Sequence, residues 1–203
     1  MKKILVITGP SGVGKTTLCS ELIRLRPTMY GALISHTTRS KRPGEVDGRD
    51  YHFVSEEEFQ TLLSLNEFLE YVQSPTGYYG LSRSEVDRVW EEYPFAILVA
   101  DVKGALEIQR LYPIETALVF IIPPSWDEIT QRLEERGTET PQTFKKRLLE
   151  SREYVKSIPH YDHVVVNEVL METVLHVHNI MQTYKFLRST HPENVDWKHL
   201  LGD

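Results

Sequence analysis

"GPSGVGKTT", residues 9–17, follows the apolar run "ILVIT" at 4–8 and precedes "LCSELIRL" at 18–25. Gly12 and Gly14 stand just before Lys15, between a strand-like pattern and a helix-like one. Gly9-x4-Gly14-Lys15-Thr16 is the phosphate-binding loop pattern, in the strand-to-helix setting that the pattern requires. Its glycines let successive N–H groups converge on phosphate oxygens without Cβ clashes, and the helix N-terminus adds a favourable dipole. On this reading Gly9, Pro10, Ser11, Gly12, Val13, Gly14, Lys15, Thr16 and Thr17 cradle the phosphates of ATP. Lys15 reaches the β- and γ-phosphates, and the Thr16 hydroxyl serves a Mg2+ ion bound with the nucleotide.

Outward from that loop, short apolar runs recur at Ile4–Thr8, Ala32–Ser35, Phe95–Ala100, Ala117–Ile122 and Val164–Val166. Near-continuous apolar strands suit a parallel sheet covered on both faces. Helical patterns lie between them. Thr17–Arg26 repeats Leu18, Leu22 and Leu25; Asp127–Arg136 follows Ser125, with Glu128 three residues on as a capping box. The last long helix carries Leu170, Val174, Val177, Met181 and Tyr184 on one stripe. The expected fold class is α/β, a doubly wound parallel five-stranded sheet.

Residues 37–94 break that rhythm with turn formers and charge, and "FLEYVQSPTGYYGLS" reads as short antiparallel strands. This is expected to be a subdomain inserted into a core of 1–36 and 95–187. A polar loop, "RGTETPQT" at 136–143, fits a segment that closes over a ligand. The tail 188–203 is largely polar and carries Trp197, Leu200 and Leu201.

With 40% hydrophobic and 26% charged residues the 203-residue chain can bury a proper core in one domain. Its net charge of −6 argues against nucleic acid or an anionic membrane as a main partner. The single cysteine, Cys19, excludes an intrachain disulfide framework and reads as a packed thiol in a reducing compartment. No apolar run reaches the ~18 residues of a membrane span. The expectation is a soluble, cytoplasmic protein.

Four further stretches are distinctive: "SHTTRSKRPGEVDGRDYHFVSEEEF" (35–59), "FLEYVQSPTGYYG" (68–80), "RLEERGTET" (132–140) and "YDHVVVN" (161–167). Together with the loop they resemble guanylate kinase, a P-loop nucleoside monophosphate kinase family, collinearly over about residues 3–187. The resemblance implies a core, a GMP-binding subdomain (37–94) and a lid (about 136–147) that approach one another around ATP and GMP. It implies that Arg39, Arg42, Tyr51 and Tyr79 hold the GMP phosphate. Two arginine forks and two phenols are chemically suited to that task. It further implies that the Glu70 carboxylate accepts from guanine N1–H and N2–H, that Ser35 and Asp101 flank the base, and that Glu45 supports the site. Arg132, Arg136 and Arg147 would neutralise the transferring phosphoryl group, with Lys15 and Arg39. Asn167 would lie near the adenosine.

Two positions depart from the family pattern. The family usually shows Asp-Ile-Asp where this chain has Val99-Ala100-Asp101, and the missing acid at Val99 is one that helps place Mg2+. Loss of such a partner typically costs ~10–100-fold, so a slowed enzyme is expected. Leu81 stands where the family commonly has Ser or Thr at the base pocket. A neutral hydrogen bond is worth ~0.5–1.5 kcal/mol and one to a charged group ~1.5–3, so Glu70 outweighs the lost hydroxyl. Ser82 is a candidate to replace it. Lys41 and Gly77 also differ, without removing a named contact.

Three readings remain at this point. An ATP-dependent guanylate kinase is the first. Leu81 motivates a kinase for another phosphorylated acceptor, and Val99 a binding module that recognises GMP or a phosphorylated partner. Intact Lys15, Thr16 and the arginines of the lid side argue against the module, which has no use for an ATP cradle.

Overall fold

The computed structural model describes residues 2–74, 76–135, 149–151 and 153–190, leaving aside the side chains of 132–135 and 185–190. Five strands, β1 (Lys3–Thr8), β2 (Tyr30–Ala32), β7 (Phe95–Val99), β8 (Thr116–Ile122) and β9 (His163–Val166), form one sheet in the order β2-β7-β1-β8-β9. Every pairing in it is parallel.

Both faces of this sheet are covered, and β1 shows why. Leu5 and Ile7 pack with Leu18 and Leu22 of α1 (Lys15–Leu25) and with Val174, Val177 and Met181 of α6 (Leu170–Thr190). Ile4 and Val6 point the other way, to Val86 and Val89 of α3 (Arg83–Glu92) and Ala105 and Ile108 of α4 (Val102–Leu111). Period-two alternation thus feeds two separate cores, each deeply buried side chain contributing roughly 1.5–3 kcal/mol. The expected doubly wound sheet and the apolar stripe of the last helix are both found. α5 (Trp126–Glu135) begins behind Ser125, whose Oγ accepts from Glu128 N at 3.3 Å.

One strand lies earlier than its apolar run. Ala32–Ser35 reads as a strand, yet β2 ends at Ala32 because the chain turns away after Leu33 N donates to Ile97 O. Ile34 N is then satisfied at 2.8 Å by the Glu85 carboxylate rather than by a neighbouring strand. Leu33 keeps that one bond to β7, whereas Ile34 is apolar because it is buried, not because it pairs.

The interruption forms its own four-stranded sheet, in the order β4-β3-β6-β5, from β3 (His36–Thr37), β4 (His52–Phe53), β5 (Phe68–Ser74) and β6 (Gly77–Ser82). β5 and β6 are antiparallel, with a bulge between Phe68 and Glu70. Helix α2 (Glu56–Ser64) opens with a reciprocal Ser55–Glu58 capping box, and its Phe59 ring stacks on Phe68 at 4.4 Å. The inserted sheet ends at Ser82, and α3 packs on the core.

Candidate active site

β1 delivers the chain into the phosphate loop, and the loop's shape is forced by close approach. At Gly9 (φ +151°) a Cβ would lie 2.2 Å from the carbonyl oxygen of Ile121 on β8. At Gly14 (φ +97°), the N-cap of α1, a Cβ would lie 2.7 Å from the Asn167 amide nitrogen. Val13 between them is fully buried and anchors the loop in the core. Lys15 Nζ donates to the loop's own carbonyls, Gly9 O at 2.7 Å and Pro10 O at 2.8 Å. Thr16 and Thr17 are exposed in the first turn of α1.

Asn167 directly follows β9 and is buried. Its side-chain Nδ2 donates to Val13 O at 2.7 Å. The residue that the resemblance assigns to the adenosine is therefore bonded to the phosphate loop itself.

Across the cleft, the loop after β3 folds around one ion pair. Arg39 is buried and meets Glu45 with two prongs, NH1 to Oε2 at 3.0 Å and NH2 to Oε1 at 2.9 Å. NH1 also donates to Ser40 O and Nε to the Tyr79 hydroxyl. Burial opposes the Glu45 charge, but the Arg39 hydrogen bonds and the Arg42 N–H hold its carboxyl below the usual range. The Arg39 guanidinium lies 5.3 Å from the Tyr51 ring centre, and the Tyr51 and Tyr79 rings meet edge-on at 5.9 Å. Arg42 keeps an exposed guanidinium that makes no hydrogen bond to a described residue.

Two adjoining cavities sit between these parts. The larger, of about 440 Å³, has Thr16 on one side and Arg42, Glu45 and Arg49 on the other. The smaller, of about 320 Å³, is lined by Glu70, Val72, Ser74, Tyr79, Leu98, Ala100, Asp101 and Gly104. Ser35, Tyr51 and Val99 line both. Glu70 is half-buried; burial first, then the charges of Asp101 and Glu107, push its carboxyl up to about 7. Asp101 caps α4, accepting from Gly104 N at 2.8 Å.

Ser35, Arg42, Glu45, Tyr51, Glu70, Tyr79, Asp101 and Thr16 thus line the two adjoining cavities; Arg39 lines neither and is bonded to Glu45 and Tyr79, and Lys15 lines neither and is bonded to its own loop. Arg132 lies on α5, with its side chain not described; Arg136, Arg147, the lid 136–147 and Trp197, Leu200 and Leu201 fall outside the described residues. Val72 and Ser74 were not anticipated, although strand alternation from Glu70 points to both. Gly104 was missed too: a helical glycine three residues beyond an N-cap acid was its only signal. Its bare Cα admits Glu70, whose Oε2 lies 3.2 Å from where a Cβ would stand.

Ser82 corrects one expectation. It does not move into the base cavity: it is buried as the N-cap of α3 and accepts from Glu85 N. Leu81, facing Glu70 in the β5–β6 ladder, is fully buried in the core cluster with Ile4, Val6 and Val86 and does not line the cavity. Cys19 packs against the other core, and burial pushes its thiol up to about 12, as a packed thiol requires. Among the described residues no helix is long and apolar enough to cross a membrane.

Comparison with known proteins agrees with this geometry. The sequence model of the guanylate kinase family matches residues 1–184. The chain is 40% identical over 182 residues to a guanylate kinase of Symbiobacterium thermophilum, covering 90% of this chain and 85% of that one. It is 39% identical over 165 residues to one of Desulfitobacterium hafniense, covering 81% and 82%. The crystal structure of guanylate kinase from Anaplasma phagocytophilum superposes with a TM-score of 0.69 at 29% identity, over 90% of this chain and 85% of that one. A family match over residues 1–184, 40% identity over 182 residues and the shared fold leave one conclusion: the chain belongs to the guanylate kinase family.

Proposed function

We propose that this chain is an ATP-dependent guanylate kinase, transferring the γ-phosphoryl group of ATP to GMP to give ADP and GDP. One observation carries the reading: Thr16 of the phosphate loop and Arg42 of the inserted loop line the same cavity. A triphosphate on one wall and a monophosphate on the other then meet in line. An oxygen of the GMP phosphate bonds to the γ-phosphorus as the bond to the β,γ-bridging oxygen breaks, and ADP leaves.

Each residue has a part in that step. Lys15 exchanges its two carbonyl partners for β- and γ-phosphate oxygens. Arg42 and the Tyr51 and Tyr79 hydroxyls bind the GMP phosphate, while Arg39, held by Glu45, adds fixed positive charge. Glu70 accepts from guanine N1–H and N2–H, with Ser35 and Asp101 beside the base. Arg132, Arg136 and Arg147 neutralise charge on the transferring group as the lid closes and excludes water. No covalent intermediate on the protein is needed; positioning and charge do the work.

Mg2+ bound with ATP would be held on the protein side by the Thr16 hydroxyl and would supply positive charge against the phosphates. Among the described residues no cluster of three or more His, Cys, Asp or Glu could hold a metal by itself. The exposed Thr16 hydroxyl in the cleft nevertheless fits an ion carried mainly by nucleotide and water. Val99, on the wall shared by both cavities, offers no oxygen for it.

The test is ADP release measured with GMP, dGMP, AMP, CMP, UMP and IMP at varied magnesium. GMP is expected to lead the series; AMP turning over faster than GMP overturns the proposal.

A further inference from the structure

Glu70 is a half-buried carboxylate that makes no hydrogen bond or ion pair with any described residue. Leu98, Val99 and Ala100 form the apolar floor beside it. The titratable groups turned towards it are acids and phenols: Asp101 and Glu107 on α4, with Tyr51 and Tyr79 on the inserted subdomain. Lys103 of α4 is exposed and lines neither cavity. Asp101 receives the Gly104 N–H at a helix N-terminus, whereas Glu70 receives no described donor. A carboxyl group so placed binds its proton unusually tightly, which agrees with a titration near 7.

The two protonation states present different edges. As a carboxylate, Glu70 offers two acceptors, matching the N1–H and N2–H donors of guanine. As a neutral acid it offers one acceptor and one donor. That pair matches a 6-oxopurine carrying N1–H and a 2-oxo group, with the O6 side of the base unchanged. We infer that neutral Glu70 makes this cavity accept xanthosine 5′-monophosphate (XMP), so that the enzyme gains a second acceptor as the pH falls.

The inference rests on Glu70 being the base-reading residue of the proposed guanylate kinase reaction. Its chemistry is the same transfer: an XMP phosphate oxygen bonds to the γ-phosphorus of ATP, the β,γ-bridging bond breaks, and XDP and ADP result. Above the titration, ionised Glu70 faces O2 with no proton between two acceptors, and binding is lost. Xanthine sheds its N3 proton readily, which makes O2 a stronger acceptor and sharpens the contrast.

Steady-state kinetics with GMP and XMP, at saturating ATP between pH 6 and 8.5, test this on the wild type and on Glu70→Gln. The wild type is expected to lose kcat/KM for GMP and gain it for XMP as the pH falls through about 7, the XMP value rising about tenfold per unit above that midpoint. Glu70→Gln fixes one donor and one acceptor, so XMP turnover becomes independent of pH and exceeds GMP turnover at least tenfold.

Calorimetry on the wild type at pH 7, in buffers of different ionisation heat, needs no variant. The two nucleotides share the 5′-phosphate, so XMP should take up about one proton more than GMP on binding. Equal proton counts, or XMP turnover absent from both proteins while Glu70→Gln still damages GMP, overturn the inference and leave the base-reading role standing. Unchanged GMP kinetics in Glu70→Gln would overturn both.

Discussion

The Asn167 side chain donates to the carbonyl of Val13, 154 residues earlier in the chain, at 2.7 Å. In a trans peptide the C=O and the following N–H point in opposite directions. Holding the Val13 carbonyl with Asn167 therefore turns the Gly14 N–H away from Asn167. Asn167→Ala should raise KM for ATP about tenfold, consistent with ~1–3 kcal/mol for a buried acceptor left unpaired. KM for GMP should stay within twofold; parallel losses for both nucleotides would show a general collapse instead.

Glu45 lines the larger cavity, but both its carboxylate oxygens are held by Arg39 and the Arg42 N–H. Glu45→Gln keeps the shape but, with a single neutral acceptor, loses one prong and weakens the other, loosening a guanidinium that is otherwise buried and fixed. We expect KM for GMP to rise ~10-fold, in line with ~1.5–3 kcal/mol for charged hydrogen bonds, with KM for ATP little changed. Initial-rate kinetics varying each nucleotide in turn would separate the two.

Val99→Asp supplies an oxygen on the wall shared by the two cavities. The concentration of Mg2+ giving half-maximal rate should fall, and kcat should rise by up to ~10–100-fold. A magnesium titration with no change in either would mean that the valine is not what limits the metal.

Leu81→Ser restores the family's hydroxyl in name only, because the side chain lies in the core. It should cost ~2–5 kcal/mol through a cavity and a stranded hydroxyl, seen as a lower Tm, and bring no gain in GMP affinity. A tighter GMP complex would contradict the placement of Leu81.

Glu70 also sets a pH signature on stability. Its carboxyl titrates near 7 in the folded protein against an ordinary value of 4.5, so between those limits the folded state binds the extra proton. Stability from this group is thus complete below about 4.5 and is lost as pH rises through about 7. Glu70→Gln should melt higher than wild type at pH 8, by ~2–8 °C for a gain on the order of 1–2 kcal/mol. The difference should vanish below about pH 4.5 in thermal melts.

How much of this was readable beforehand depended on sequence separation. The phosphate loop is contiguous, so its glycines, lysine and flanking periodicity identify it directly. The apolar runs located the sheet, yet burial without strand pairing at Ile34 shifted one strand. The arginine and tyrosine cup was legible through resemblance, but not the Glu45 grip that orients it. Ser82 looked like a substitute for the missing pocket hydroxyl because capping and binding use the same oxygen. Asn167 meeting Val13 was beyond reach: no local pattern encodes a contact between the end of the last strand and the first loop.

Lys15, bonded to the carbonyls of Gly9 and Pro10, already has ligands of its own. An arriving triphosphate must therefore win the ammonium by exchange, oxygen for oxygen. On the proposed role of Lys15, selectivity for polyphosphates over simple anions is the expected result, since a ligand that also captures the amides further along the loop competes best with two preformed dipoles.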